Sequence, residues 1–104
     1  MNELCWAGGL FEGEGCFTLM RGTAPRAALT MNDEDVVRRF CAAVGIGKVY
    51  GPYGPYLGHG NFQRWEWKAD GLEKVQAVVA MLWNGLGQRR RSRAAEVLRE
   101  GGHK

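Results

Sequence analysis

Glu12 and Glu14 stand near the end of a glycine-rich stretch, Trp6-Ala7-Gly8-Gly9-Leu10-Phe11-Glu12-Gly13-Glu14-Gly15-Cys16-Phe17. Apolar residues at Leu4, Ala7, Leu10 and Phe11 recur at helical spacing, so both acids fall at the C-terminal end of an amphipathic helix. The macrodipole is already negative there and disfavours each acid by roughly 0.3–1 kcal/mol, which calls for a positive partner. Two such helices side by side would bring their acids together, and a divalent cation with oxygen ligands would neutralise them. Magnesium accepts one or two carboxylates and completes its shell with water and phosphate oxygens. That is the inventory of phosphodiester hydrolysis. The plainer alternative is a small-residue helix ending in solvated acids before a glycine turn.

Gly9 and Gly13 lie four apart on one helix face, and each costs about 1 kcal/mol of helix propensity against alanine. Close backbone approach is the compensating gain, because a glycine face lets a second helix pack nearer than side chains would allow.

Joined to the apolar-polar alternation that follows, the segment resembles the signature of the LAGLIDADG homing endonucleases. Ala7, Gly8, Gly9, Leu10, Phe11, Glu12, Gly13, Glu14 and Gly15 fall in order on its nine positions. Gly9, Leu10 and Gly15 match identically, Glu12 and Glu14 replace aspartate, and Ala7 and Gly8 depart at the first two positions. The resemblance implies that paired motif helices form the interface, through Gly9, Leu10, Glu12 and Gly13, with Glu12 structural. It assigns Glu14 to the catalytic metal, Mg²⁺ or another divalent cation, with no small-molecule cofactor. One motif supplies one metal-binding carboxylate, so cutting both strands of a pseudo-palindromic double-stranded DNA implies a homodimer. The rival reading keeps the fold without cleavage, as a DNA-binding regulator or an RNA maturase. Retention of both acids speaks against it, because a mere binder gains nothing from carboxylates aimed at phosphate.

The 104 residues suffice for one domain, 1–104, with a single core, and 45% hydrophobic against 24% charged residues reads as globular. The net charge of +3 is mild but unevenly placed. Residues 1 to 20 hold Glu3, Glu12 and Glu14 without a Lys or Arg, whereas residues 88 to 104 hold six bases against two acids. An acidic centre flanked by basic surface suits a metal-dependent enzyme acting on a polyanion. Cys5, Cys16 and Cys41 are odd in number, without C-x-x-C pairing, which argues against a disulfide framework; with no leader or membrane span in view, a cytoplasmic setting is expected. His59 and His103 stand alone, which argues against zinc.

These side chains need positioning elements, and the expected fold class is α+β. Cys16–Arg21 alternates as a strand, Gly22–Pro25 turns, and Arg26–Met31 returns. Asn32 or Asp33 caps a helix with Val36, Val37, Phe40, Cys41 and Val44 buried, ended by Gly45. Gly47–Tyr53 and Phe62–Ala69 are strands around a Gly/Pro/Tyr-rich loop at Gly54–Asn61, and helices follow over Leu72–Trp83 and Gln88–Arg99, with Leu72, Val75, Val79 and Leu82 in the core. The order is helix-strand-strand-helix-strand-strand-helix-helix, an antiparallel sheet covered by helices on one face. The resemblance implies the same order, with a curved sheet laid in the DNA major groove.

Alternation puts Phe17, Leu19, Trp65 and Trp67 on the core side, and parity turns Thr18, Met20, Arg26, Thr30, Arg64, Glu66 and Lys68 outward. Together with Lys48 these are the candidate DNA readers, although such residues also serve simply as a solvated face. The run Gln88-Arg89-Arg90-Arg91-Ser92-Arg93 opens a helix at the positive end of its dipole; phosphate would relieve that conflict, and a solvated basic start is the alternative. The resemblance implies that a basic residue at the start of this last helix approaches the scissile region; Arg90 is the best positional match for that catalytic role, with Arg89 and Arg91 as alternatives, and the run as a whole, Arg93 included, is a candidate for contact with the DNA backbone. The family's polar residue near the end of the second strand falls around Leu29 and Thr30; Leu29 cannot do polar chemistry, so it is Thr30 or the register moves by one. Tyr53, Tyr56 and His59 either touch the DNA flank or form a plain turn.

Overall fold

The computed structural model describes residues 2–54 and 63–101. Tyr56, His59 and Phe62 lie outside them. Helix α1 (Glu3–Glu14) leads into strands β1 (Gly15–Met20) and β2 (Ala24–Met31), helix α2 (Glu34–Val44), strands β3 (Lys48–Tyr53) and β4 (Arg64–Asp70), and helices α3 (Leu72–Leu82) and α4 (Gln88–Gly101), the last two joined by a 3₁₀ turn over Trp83–Gly85. All strand pairs are antiparallel, in the order β1-β2-β4-β3. This is the expected α+β architecture. No described helix is long and apolar enough to cross a membrane.

The helix ends follow their capping chemistry. Asn2 accepts the Leu4 amide at 2.7 Å, Asp33 accepts the Val36 amide at 3.3 Å, and Gly45 closes α2 with φ +69°. Between β1 and β2 the chain reverses at Arg21 and Gly22, both at positive φ, so β2 begins two residues earlier than the expected turn at Gly22–Pro25 allowed. Pro25 is tolerated inside β2 because the side on which its N–H is missing faces the end of β4, where its carbonyl accepts the Gly71 amide at 2.9 Å.

One face of the sheet is covered. Phe17, Ala27, Leu29, Trp67 and Ala69 are buried against Phe11 of α1, Val37 and Phe40 of α2, Val75 and Val78 of α3, and Ala94 and Val97 of α4. Phe11 is central, its ring centroid 4.9 Å from that of Phe17, 6.0 Å from Phe40 and 6.4 Å from Trp67. Trp67 satisfies its indole N–H on the Ile46 carbonyl at 2.8 Å, as a buried indole requires. The core differs in detail from the expected one: Val36, Cys41 and Leu72 are only half-buried, and Val78, one turn from Val75, is fully buried. Trp65, expected inside, is half-buried at the sheet margin under the Arg38 guanidinium.

Candidate functional site

Glu14 is the last residue of α1 and is exposed. The helix ends where the Gly15 backbone turns extended into β1, and a side chain at Gly15 would collide with the Phe11 ring, so the junction requires glycine. Glu14 shares an open depression of about 320 Å³ with Thr30, Met31, Asn32 and Asp33. The end of α1 and the end of β2 therefore meet. Of the two positions that the resemblance offered for a polar residue, Leu29 and Thr30, Thr30 lines this depression; Asn32, read only as a candidate helix cap, was missed as a polar neighbour.

Gly9 and Gly13 are exposed, and a Cβ at either would meet nothing within 4 Å. Nothing described within the chain demands glycine at these places. Leu10 is half-buried beside them. Glu12, expected on the same seam, instead turns into its own chain: its carboxylate accepts the Gly87 amide at 2.9 Å, and its carbonyl accepts from Arg90 Nε at 3.1 Å.

That pair of bonds gives the start of α4 a partner within the chain: the Glu12 carboxylate lies at the positive end of its dipole. The arginines are largely committed as well. Arg91 donates to the Trp83 carbonyl at 3.1 Å and lies over the Trp83 ring, and Arg93 donates to the Phe17 carbonyl at 3.1 Å and pairs with Glu96. Arg89 remains exposed.

The uncovered face of the sheet carries the residues that parity turned outward. In register across the strands stand Thr18, Arg26 and Asp70; then Cys16, Ala28, Lys68 and Lys48; then Thr30, Glu66 and Tyr50; and finally Arg64 opposite Tyr53. Met20 ends β1, 38% exposed. Glu66 and Lys68 are ion-paired at 3.7 Å, and the Lys68 ammonium lies 5.3 Å from the Tyr50 ring centroid. Thr30, Tyr53, Arg64 and Glu66 line a shallow recess at the α2-proximal end of this face. Tyr50 and Asp70 were missed, although each sits two residues from an outward neighbour, Lys48 or Lys68, and strand parity would have found both.

Among the described residues no three His, Cys, Asp or Glu side chains gather around a point where a metal could sit. The Glu14 carboxylate, with the Asp33 carboxylate and the oxygens of Thr30 and Asn32 in the same depression, suits a hard, mostly hydrated cation.

No protein-family model and no curated protein matches the sequence. Solved structures do match its fold. The homing endonuclease I-CvuI, in complex with the I-CreI target in the presence of Mg with the DNA not cleaved, superposes with a TM-score of 0.68 at 15% identity over 93% of this chain and 64% of that one. The LAGLIDADG meganuclease I-CpaMI, bound to uncleaved DNA, gives 0.69 at 15% identity over 95% of this chain and 37% of its own. The homing endonuclease I-TnaI gives 0.67 at 18% identity, covering 92% and 69%. The chain thus spans less than two thirds of the length of I-CvuI. Motif helix, strand order and superposition agree that this chain has the LAGLIDADG homing endonuclease fold.

Proposed function

We propose that the chain is a homing endonuclease that acts as a homodimer, hydrolysing both strands of a pseudo-palindromic double-stranded DNA with Mg²⁺ or a similar cation. The observation that carries this reading is the placement of Glu14. It ends the motif helix on the exposed side, beside the open Gly9/Gly13 face and at the rim of an uncovered sheet face rich in polar groups. A second copy packed on that face would bring two Glu14 side chains toward a common centre.

In this reading Glu14 is the protein's ligand to the cation. Bound there, the ion would polarise the scissile phosphate and lower the pKa of an attacking water. Thr30 and Asn32, from the same depression, orient that water, and solvent takes its proton. Arg90, half-buried at the α1–α4 junction, offsets charge building on the phosphate, and its bond to the Glu12 carbonyl holds it there without reorganisation. Met20, Thr18, Arg26, Lys48, Arg64, Glu66 and Lys68 face the bases, while Arg89, with Arg91 and Arg93 more constrained, follows the backbone.

The test is a nicking assay on supercoiled plasmid carrying the gene's own insertion site, with Mg²⁺, comparing wild type with Glu14→Gln. Cleavage lost in the variant while duplex binding persists supports the assignment. Persistent cleavage by Glu14→Gln would remove that carboxylate from the mechanism. Binding without any cleavage by wild type would favour the non-cutting regulator, and a monomeric mass both with and without DNA would contradict the paired-site mechanism.

A further inference from the structure

Asp70 is an acid on the face that, by the reading above, meets a polyanion. An acid is unfavourable there unless it serves a neighbouring cation. Its neighbour is Arg26, directly opposite in the β2–β4 register, whose Nε donates to Asp70 Oδ1 at 2.5 Å. Stability alone gives little reason for such a pair, since exposed ion pairs contribute about 0–1 kcal/mol. Its geometry is more telling.

Both backbones are anchored at this point. The Gly71 amide, next to Asp70, donates to the carbonyl of Pro25, next to Arg26, at 2.9 Å. The Arg26 side chain is 25% exposed against 52% for Asp70, so the arginine is already largely held before any ligand arrives. The bond engages Nε and leaves the terminal Nη1–Nη2 edge outside it. That edge is a planar, two-pronged donor matching O6 and N7 of guanine in the major groove. Thr18 flanks Arg26 on the other side in the β1–β2 register. Holding the fork in one pose reduces the side-chain entropy lost on binding and penalises bases that cannot accept two hydrogen bonds.

We infer that Arg26 reads a guanine in each DNA half-site and that Asp70 is its positioning residue, touching the arginine and not the DNA. The inference rests on the sheet face binding duplex DNA.

The experiment is selection of bound sequences from a randomised duplex library by the full-length protein, with parallel titration of a heterogeneous-sequence duplex to read base-independent affinity. Wild type should select a guanine at one position per half-site. Arg26→Ala should erase that preference, and Asp70→Asn should relax it by on the order of tenfold while leaving the other positions and the base-independent affinity within about twofold. Arg26→Lys, which keeps charge but loses the fork, should behave like Arg26→Ala at that position. A guanine preference unchanged in Asp70→Asn, or weakened equally at every position, would overturn the inference while leaving DNA binding standing. Failure of wild type to bind any duplex would overturn both, and matching thermal melts for the variants exclude misfolding as the cause.

Discussion

Arg90 and Glu12 tie two helix ends together in opposite senses. The guanidinium of Arg90 meets the carbonyl of Glu12 at the negative end of α1, and the Glu12 carboxylate meets the Gly87 amide at the positive end of α4. Each charge lies where the other helix's dipole favours it. The pairing also fixes α4, and with it Arg90, relative to the residue that ends α1 at Glu14.

Removing the acid should therefore loosen α4. Glu12→Ala is expected to lower the unfolding free energy by about 1 kcal/mol, the usual magnitude for loss of a helix-capping acceptor, and Glu12→Gln by less because an acceptor oxygen remains. Urea denaturation of the two variants checks this. Equal stability of Glu12→Ala and wild type would show that the Gly87 bond contributes nothing.

Two classes of glycine in and around α1 should respond with opposite sign. A Cβ at Gly9 meets open space, so Gly9→Ala should leave the single chain as stable or more stable by up to about 1 kcal/mol, yet weaken self-association in sedimentation velocity. A Cβ at Gly85 would come within 2.8 Å of the Gly8 Cα, backbone against backbone, so Gly85→Ala should destabilise the chain by about 1–3 kcal/mol. If Gly9→Ala leaves self-association unchanged, the open face is no pairing surface.

Glu3 at the start of α1 takes two bonds from Arg39 of α2, at 2.7 and 3.0 Å, and these bonds hold its carboxyl below the ordinary value of 4.5. A depressed folded-state value means that the stabilising contribution is present above the ordinary carboxylate range and is lost as pH falls through the depressed value. The melting temperature of Glu3→Gln should accordingly lie slightly below that of wild type at neutral pH, and the two should converge in strong acid. A gap that stays constant across this range would mean that the pair has no charge-dependent role. Added salt should narrow it, since both side chains are about half exposed.

Local chemistry made most of the fold legible. Alternation alone sorted Phe17 and Trp67 from Thr18, Glu66 and Lys68, because a strand has only two faces and apolar residues choose one. Caps at Asp33 and Gly45 delimited α2 for the same local reason. What escaped was long-range or at a boundary. The bond from Gly87 to Glu12 joins residues 75 apart, and no spacing rule reaches that far. The expected strand stops at Ala69, although pairing with Arg26 carries β4 one residue further to Asp70. The 3₁₀ turn at Trp83–Gly85 packs on α1 where Gly8 and Gly85 approach each other, a contact between α1 and the connection that neither segment reveals alone.

The division of β2 into inward Ala27 and Leu29 and outward Arg26, Ala28 and Thr30 separates two vocabularies within one strand. Under the proposed role of this face in DNA binding, an engineer seeking a new recognition sequence would rewrite the outward letters and leave the interior untouched. Positions 26 and 70 would have to be rewritten as one word, since they face each other across neighbouring strands and a change in either leaves its counterpart without a partner.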